Sequence, residues 1–374
     1  MAAIRALPPG AWLSLGRPAP DPSYGRARGR SWTASMPFAE SLGGAFLFGE
    51  GVHGWRDPAT GRYMDGLWLY DVNAHGWVAL HPGTDTRKSP ELRLNADGFE
   101  ALADGNPVPI ATMVHGYEMT AWDSVRQLFF AMPNHHEYVA NALPSVAAFR
   151  QANRTRLNTQ NASPWIFDPW NRRWHRLKTP RPSPPSGFGG VLRFLPSRNR
   201  LFFLYQGRAS LYDPVANSWF DANPGGPPPP FGIDSTSCHD PKRDRVYVGG
   251  GGYPVAPGPN ALWIYDAAAN RWIDPAPAGG PGGNHFGTNV ALMVCDAAAD
   301  RLLVVRHAGA GRGVYSYDPA GNRWASAPVP LPAAWPERRF ANGFYHPGLG
   351  VSFFHVAGDS ADDGMIFVYR HAPK

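Results

Sequence analysis

Short apolar runs rich in Val, Ile, Phe, Tyr and Trp recur along the chain, separated by clusters of Gly, Pro, Asn and Asp. That pattern predicts strands joined by tight turns. Residues 287–330 show one full unit: strand "TNVALMVC", turn "DAAAD", then strands "RLLVV", "GVYSYD" and "RWASA". The last hairpin of the unit, "YSYDPAGNRW" (315–324), has close copies at "LYDVNAHGW" (69–77), "IFDPWNRRW" (166–174), "LYDPVANSW" (211–219) and "IYDAAANRW" (264–272). The closing Trp residues, 77, 174, 219, 272 and 324, are separated by 97, 45, 53 and 52 residues. A period near 50 with four strands per unit predicts the blades of a β-propeller, the 97 being one period plus insertions.

Within the copies, Asp71, Asp168, Asp213, Asp266 and Asp318 open the last turn of each unit, where a short carboxylate can accept local backbone N–H bonds. The Trp is large enough to fill the space between neighbouring sheets. Both are read as scaffold. After Trp324 come two strand segments, "RFANGFYH" and "VSFFHVAG", and a third, "MIFVYR" (365–370), but no fourth. The N-terminal "GAWLSLGRP" (10–18) resembles the segment around Trp174 and is expected to supply it, closing the ring and removing the open sheet edges. The expectation is an all-β, six-bladed propeller forming a single domain over 1–374. Its blades are placed at about 31–83, 110–180, 187–225, 231–277, 284–330 and 337–374 plus 10–18, with 84–109 as an inter-blade insertion. The second strand ending in Gly ("VYVGGGGY", 246–253; "FLFGEG", 46–51) and the "YDP…N.W" hairpin resemble the kelch-repeat family. That resemblance implies the same propeller and says little about activity, because propellers host many functions.

Composition narrows the classes. The 374 residues include 42 Gly and 40 Pro, dispersed among apolar runs as turn chemistry rather than gathered in disordered tracts. The formal charge of +6 comes mostly from scattered Arg, and "RARGR" (26–30) is too short to track a phosphate backbone, so no nucleic-acid partner is expected. A preference for an anionic small ligand stays open. Two cysteines, Cys238 and Cys295, both in expected strands, are read as small buried hydrophobes, with no disulfide framework and no CxxC metal pair. No apolar run reaches signal-peptide or membrane-span length, so a soluble chain without a membrane partner is expected. "GGGG" (249–252) follows a strand without opening a helix and is not a phosphate loop.

In a propeller the connections leaving each blade, and those between its second and third strands, emerge on one face. The turns between first and second and between third and fourth strands emerge on the other. Three stretches exceed what the repeat needs, all on the first of these faces: 51–66 and 83–109 in and after blade 1, and 133–164 in blade 2. Helix formers in "EYVANALPSVAAFRQANR", interrupted by Pro144, suggest one or two short helices. These insertions are expected to cover the mouth of the central channel.

Four of the six innermost strands begin with Phe and a small residue, "FG" at 188–189, 231–232 and 286–287 and "FA" at 340–341, while blade 1 offers Trp32 or Phe38 for the slot. Blade 2 instead has "HG" (115–116) in "MVHGYEMTAWD", which singles out His115. Glu118, in the same apolar segment, must be paired or carry a raised pKa if buried. With His115 and Glu118 as base and acid and Tyr117 as proton donor, the chain could act as a lyase or epimerase on an acidic carbohydrate. The other candidate ligand contacts are Arg338, Arg339, His285, Asn289, Asp234, Phe188 and Trp55. His135, His136 and Glu137 in "NHHEY" are metal-ligand types, making a divalent metal the one cofactor considered against none. Asp359, Asp362 and Asp363 in "GDSADDG" lack the alternation of a calcium loop and read as a solvated turn. Among kelch-like propellers, the copper site of galactose oxidase needs a Cys–Tyr crosslink on the insertion face. Cys238 and Cys295 fall toward the other face, so that activity is not implied. The iron pattern of nitrile-specifier proteins has no match, and no motif carries over from the sialic acid mutarotases. The leading reading is a binding propeller for a sugar or small anionic ligand, or a protein-interaction scaffold, with the enzyme as the alternative.

Overall fold

The computed structural model describes residues 1–51, 54–112, 115–133, 143–159, 163–180, 189–230, 234–250, 262–281, 286–309, 311–337, 340–358 and 361–372. Six four-stranded antiparallel sheets are arranged as blades around a channel. Their innermost strands are Phe38–Ala39, Thr120–Asp123, Val191–Leu195, Thr236–Asp240, Ala291–Asp296 and Phe340–His346. Each seam between blades holds its own apolar cluster, so the core is a ring of six wedges rather than one central mass.

The repeated hairpin explains how the wedges stay in register. Asp71 Oδ1 accepts from the N–H of Asn73 and Ala74, and Asp213 Oδ1 from Val215 and Ala216, so each carboxylate closes its own turn. Two residues before each Trp the chain turns left-handed, at His75, Arg172, Asn217, Asn270 and Asn322, with φ between 47° and 49°. Asn tolerates that conformation well, and its side chain has further work. Asn217, Asn270 and Asn322 each accept from the Tyr hydroxyl of their own blade and donate Nδ2 to a carbonyl at the exit of the preceding blade: Lys178, Ala222 and Pro275. Every repeated Trp is 2–7% exposed and belongs to the cluster at the seam with the blade before it.

Blade 6 is split between the chain's two ends, as the sequence leads one to expect. Trp12–Gly16 pairs antiparallel with Met365–Tyr369. Trp12 faces Tyr369, just as Trp77 faces Tyr70 and Trp219 faces Tyr212. Trp12 packs against the seam between blades 5 and 6, the place the repeated Trp takes at the other five seams. Ahead of this strand, Ile4 and Leu7 are buried in the seam between blades 6 and 1.

One expectation needs correction. Cys238 and Cys295 are not separate buried thiols: they form a disulfide, with Cα atoms 5.7 Å apart, that joins the innermost strands of blades 4 and 5. Both lie just before the Asp that opens the turn to the second strand (Asp240, Asp296), hence at similar depth in neighbouring blades. Pro144 opens the helix Pro144–Thr159, where its missing N–H costs nothing, and the part of the expected helical segment before residue 143 lies outside the described residues.

The insertions form one satellite layer on blades 1 and 2, with its own apolar cluster of Tyr63, Val108, Ile110, Val146, Phe149 and Leu157 among others. A fully buried pair, Glu100 Oε2 to Arg176 Nη1 at 3.0 Å, ties it to the outer strand of blade 2, and Arg176 lies over the rings of Phe99 and Trp165. No helix among the described residues is long and apolar enough to cross a membrane.

Deleting residues 1–18 removes Trp12, its strand and the Ile4–Leu7 anchor, and is expected to leave blade 6 with an open edge and the protein unfolded or aggregated. A truncated protein melting at the full-length temperature would overturn ring closure by this strand. Replacing Cys238 and Cys295 by Ser is expected to cost about 2–4 kcal/mol, because the crosslink restricts the unfolded chain over a separation of 57 residues. Equal denaturation midpoints for the Ser variant and the oxidised wild type would refute this.

Candidate functional site

All six innermost strands, and the turns that follow them in blades 2 to 6, line one cavity of about 350 Å3, which is the channel itself. Its rim is made by Ser124, Pro196, Pro241, Ala297 and Pro347, residues of the turns between first and second strands. The cavity therefore opens on the face opposite the insertions. Its walls are chiefly apolar, with Phe38, Trp122, Phe194, Met293 and Phe344, and the Cys238–Cys295 disulfide forms part of them.

The inner end is polar. Glu118 on blade 2 is fully buried and pairs through Oε2 with Arg193 Nη2 on blade 3. Arg193 also donates to the carbonyls of Leu192 at 2.7 Å and of Ser237, on blade 4, at 2.9 Å. One ion pair thus ties three blades together across the channel. Burial pushes the Glu118 carboxyl above its ordinary value, outweighing the opposing pull of Arg193, and the nearby Ser35 hydroxyl also favours the charged form without reaching hydrogen-bond geometry. Glu118 Oε1, Ser35 Oγ and Ser237 Oγ are buried without hydrogen-bond partners. Ser35, Ser237 and Arg193 line the cavity.

On the insertion side of this pair, His115 takes the place of the repeat's Phe. Gly249 leaves room for the Phe286 ring, which a Cβ there would meet at 2.5 Å. Gly49 does the same for the backbone at His115 and Gly116, at 2.4 Å from Gly116 N. His115 is 1% exposed, its Nδ1 lies 3.0 Å from the Glu50 carbonyl, and its ring sits 4.8 Å from Trp32 and 5.5 Å from Tyr117. A carbonyl can only accept, so Nδ1 carries the proton. Tyr117 is buried, and that burial drives its hydroxyl well above the usual range. His115 and Tyr117 thus touch each other, while Glu118 is engaged with Arg193.

Asp234 opens blade 4 in a left-handed conformation, φ 68°, and accepts through Oδ1 from the Thr288 N–H and hydroxyl. Asn289 Oδ1 and Asp234 Oδ2 flank the space above Gly287, bringing these two candidates together. Burial raises the Asp234 carboxyl to about 6, despite the Thr288 bonds, and the Glu118 charge adds to the shift. Trp55 lies apart from this group, on a small cavity in the blade 1 insertion. Phe188, His285, Arg338 and Arg339, and the candidate metal ligands His135, His136 and Glu137, lie outside the described residues, as does Asp359. Among the described residues no His, Cys, Asp and Glu group could hold a metal ion. Asp362 accepts from the N–H groups of Gly358 and Gly364, and Asp363 pairs with Arg26 and Arg28.

Sequence reasoning missed Arg193, the disulfide and the face on which this cavity opens. A signal for the first was present: "VLRFL" sets one Arg within an apolar innermost strand, beside the blade that carries Glu118.

No family model matches the chain, and no curated protein matches it. Among solved structures, a GH74 xyloglucanase from Xanthomonas campestris is similar at a TM-score of 0.46 and 15% identity, over 92% of this chain and 43% of that one. The chain thus spans less than half the length of the xyloglucanase. A chain of the mitotic checkpoint complex is similar at 0.46 and 8% identity, over 98% of this chain and 95% of that one. Neither likeness carries an argument about function. The six-bladed propeller is established by the sheets themselves, and the kelch kinship stays a resemblance of sequence pattern.

Because Asp234 is raised in the folded state, its contribution to stability is complete below its unfolded value near 3.8 and is lost as pH rises through about 6. Asp234→Asn keeps an acceptor for Thr288 and cannot ionise. Its stability relative to wild type is expected to increase by up to about 3 kcal/mol between acid and neutral pH, read from denaturation midpoints. A difference that stays flat with pH would refute the raised carboxyl.

Proposed function

We propose that this protein is a ligand-binding propeller whose central cavity receives a small molecule with an apolar or ring-shaped body and one polar, preferably acidic, end. The observation that carries this reading is the cavity's own division. Its volume of about 350 Å3 falls in the range of small-molecule sites, its walls are aromatic and aliphatic, and unpartnered hydroxyls stand beside a guanidinium at its inner end. The body would lie against Phe38, Trp122 and Phe194. The polar end would meet Ser35, Ser237 and Arg193. A sugar acid or a comparable small carboxylate has this form.

Glu118 sets the charge the ligand meets. Ionised, it neutralises Arg193; protonated, it leaves the guanidinium for an acidic guest. Since burial raises the Glu118 carboxyl, protonation of this group is the easier direction inside the fold, and affinity for an acidic ligand should strengthen as pH falls.

An enzymatic reading, acid–base chemistry on an acidic carbohydrate, is favoured by one observation. Asp234 and Glu118 are two interacting buried carboxyls, both raised, and Asp234 is held near the range where a proton can be exchanged at neutral pH. In this reading they replace His115 as the exchanging groups, while His115, bonded to the Glu50 carbonyl, positions Tyr117.

The test is a thermal-shift screen of uronic acids, sialic acids, neutral monosaccharides and small aromatic carboxylates, at two pH values. Stabilising compounds are then repeated on Ser124→Trp, which narrows the mouth at an exposed position, and on Ser35→Ala. Acidic compounds are expected to stabilise the wild type, more at the lower pH, and both variants to lose most of the shift. Compounds whose shifts persist unchanged in both variants would place the ligand elsewhere and overturn the reading.

A further inference from the structure

The run "RARGR" has no part in the central cavity. It lies in the segment that carries the chain from the outer strand of blade 6 to the innermost strand of blade 1, on the insertion side. Arg26, Arg28 and Arg30 occur at every second position. Together with Arg62 from the blade 1 insertion, they line a small cavity that also has Tyr24 and Trp55 on its wall. Its volume is about 20 Å3, room for one water-sized group and too little for the body of a ligand.

Among the described residues, the direct pairing of these guanidinium groups is uneven. Asp363 takes Arg26 at 3.4 Å and also pairs with Arg28, while Asp57, itself on the cavity wall, reaches Arg28 only at 3.7 Å. Arg62 donates to the Gly83 carbonyl at 2.7 Å and lies 5.2 Å from the centre of the Tyr24 ring. Arg30 is 2% exposed and donates from Nη1 to the Arg28 carbonyl at 2.9 Å. The Nε atoms of Arg28 and Arg30 are buried without a hydrogen-bond partner. Glu50 and Asp65 offset part of the Arg30 charge, while Glu50 also accepts from the Tyr63 hydroxyl at 2.7 Å and Asp65 from the Thr84 N–H and hydroxyl at 2.6 Å. Among the described residues, four guanidinium groups therefore face one cavity, and Asp57 and Asp363 are the carboxylates that pair with them directly.

A buried cation short of partners is costly, and the cost is visible at Arg30, where burial lowers the pKa to about 9. An anion with several acceptor oxygens would relieve it, because guanidinium groups grip carboxylates, sulfates and phosphates through paired N–H bonds. We propose that this cavity takes one oxygen of the oxyanion group of a ligand, the rest of the group sitting at its mouth, with Arg28, Arg30 and Arg62 as the grip and Trp55 and Tyr24 flanking the part that extends outward. The site uses residues on the opposite face from the central cavity, so it stands or falls independently of the function proposed above.

The test is calorimetric titration of the full chain with inorganic phosphate, sulfate and acetate, at millimolar concentration and constant ionic strength set with chloride. Low concentration matters because phosphate and sulfate stabilise folded proteins generally by exclusion from their surfaces. Saturable binding of at least one anion is expected, weakened about tenfold or more by Arg62→Gln and by Arg28→Gln, as befits loss of a charge-assisted contact. The anion that binds best identifies the parent chemistry. Arg30→Gln removes a buried cation and could fail to fold, which is why the two half-buried arginines are the primary variants. Binding is expected to survive Ser124→Trp. Three outcomes would each overturn the proposal: no saturable binding by any of the anions, binding unchanged in both Arg variants, or binding abolished by Ser124→Trp, which would assign the anion to the central cavity.

Discussion

Antiparallel pairing between Trp12–Gly16 and Met365–Tyr369 converts six sheets into a closed ring, and the rest of the molecule depends on that closure. A blade by itself is a four-stranded sheet with an apolar face on each side, which cannot be stable in water. Each face is covered only because another blade stands against it, and the sixth seam has that cover only if the ends of the chain meet. The repeat chemistry is shared among the seams: in blades 1 to 5 a carboxylate closes the outer turn and a left-handed residue aims the last strand, in blades 3 to 5 an Asn binds the preceding blade, and at all six seams a Trp fills the wedge. At the closing seam Trp12 comes from one terminus and Tyr369 from the other.

Closure brings six innermost strands together around an axis, and the axis has to be dealt with. Here it is blocked part-way by Glu118 and Arg193, whose bonds reach blades 2, 3 and 4. This pair divides the channel into two regions of different character. Toward the strand-turn face lies the open, mainly apolar cavity. Toward the insertion face lie His115, Tyr117 and Asp234, all buried, with the exposed Asn289 beside Asp234. The disulfide lies in the wall of the open part and fastens blades 4 and 5.

The insertion face carries its own charge arrangement. The satellite layer on blades 1 and 2 is anchored by the buried Glu100–Arg176 pair. At the neighbouring seam, where the ring closes, arginines from the chain's N-terminal segment meet one from the blade 1 insertion. The two faces thus offer different chemistry, one an apolar recess with a polar floor and the other a small cationic cleft. A propeller allows this because its faces share strands but not loops.

The sequence by itself determined the architecture, because propeller structure is periodic. A hairpin repeated five times, a missing last strand and a spare first one are one-dimensional facts, and they require six blades closed by the N-terminal strand. Local chemistry was legible for the same reason: Asp and Trp roles repeat with the hairpin, and His115 was recognisable as the odd member of a series. The tertiary structure alone decided what crosses the period. Arg193 meets Glu118, and Cys238 meets Cys295, because strands remote in sequence lie side by side around the axis at equal depth. The gathering of Arg26, Arg28, Arg30 and Arg62 likewise depends on where a connecting segment passes an insertion. The turns that line the open cavity are short and ordinary as sequence. They become a rim only when five of them are brought round a common centre, a property of the ring and of no single repeat.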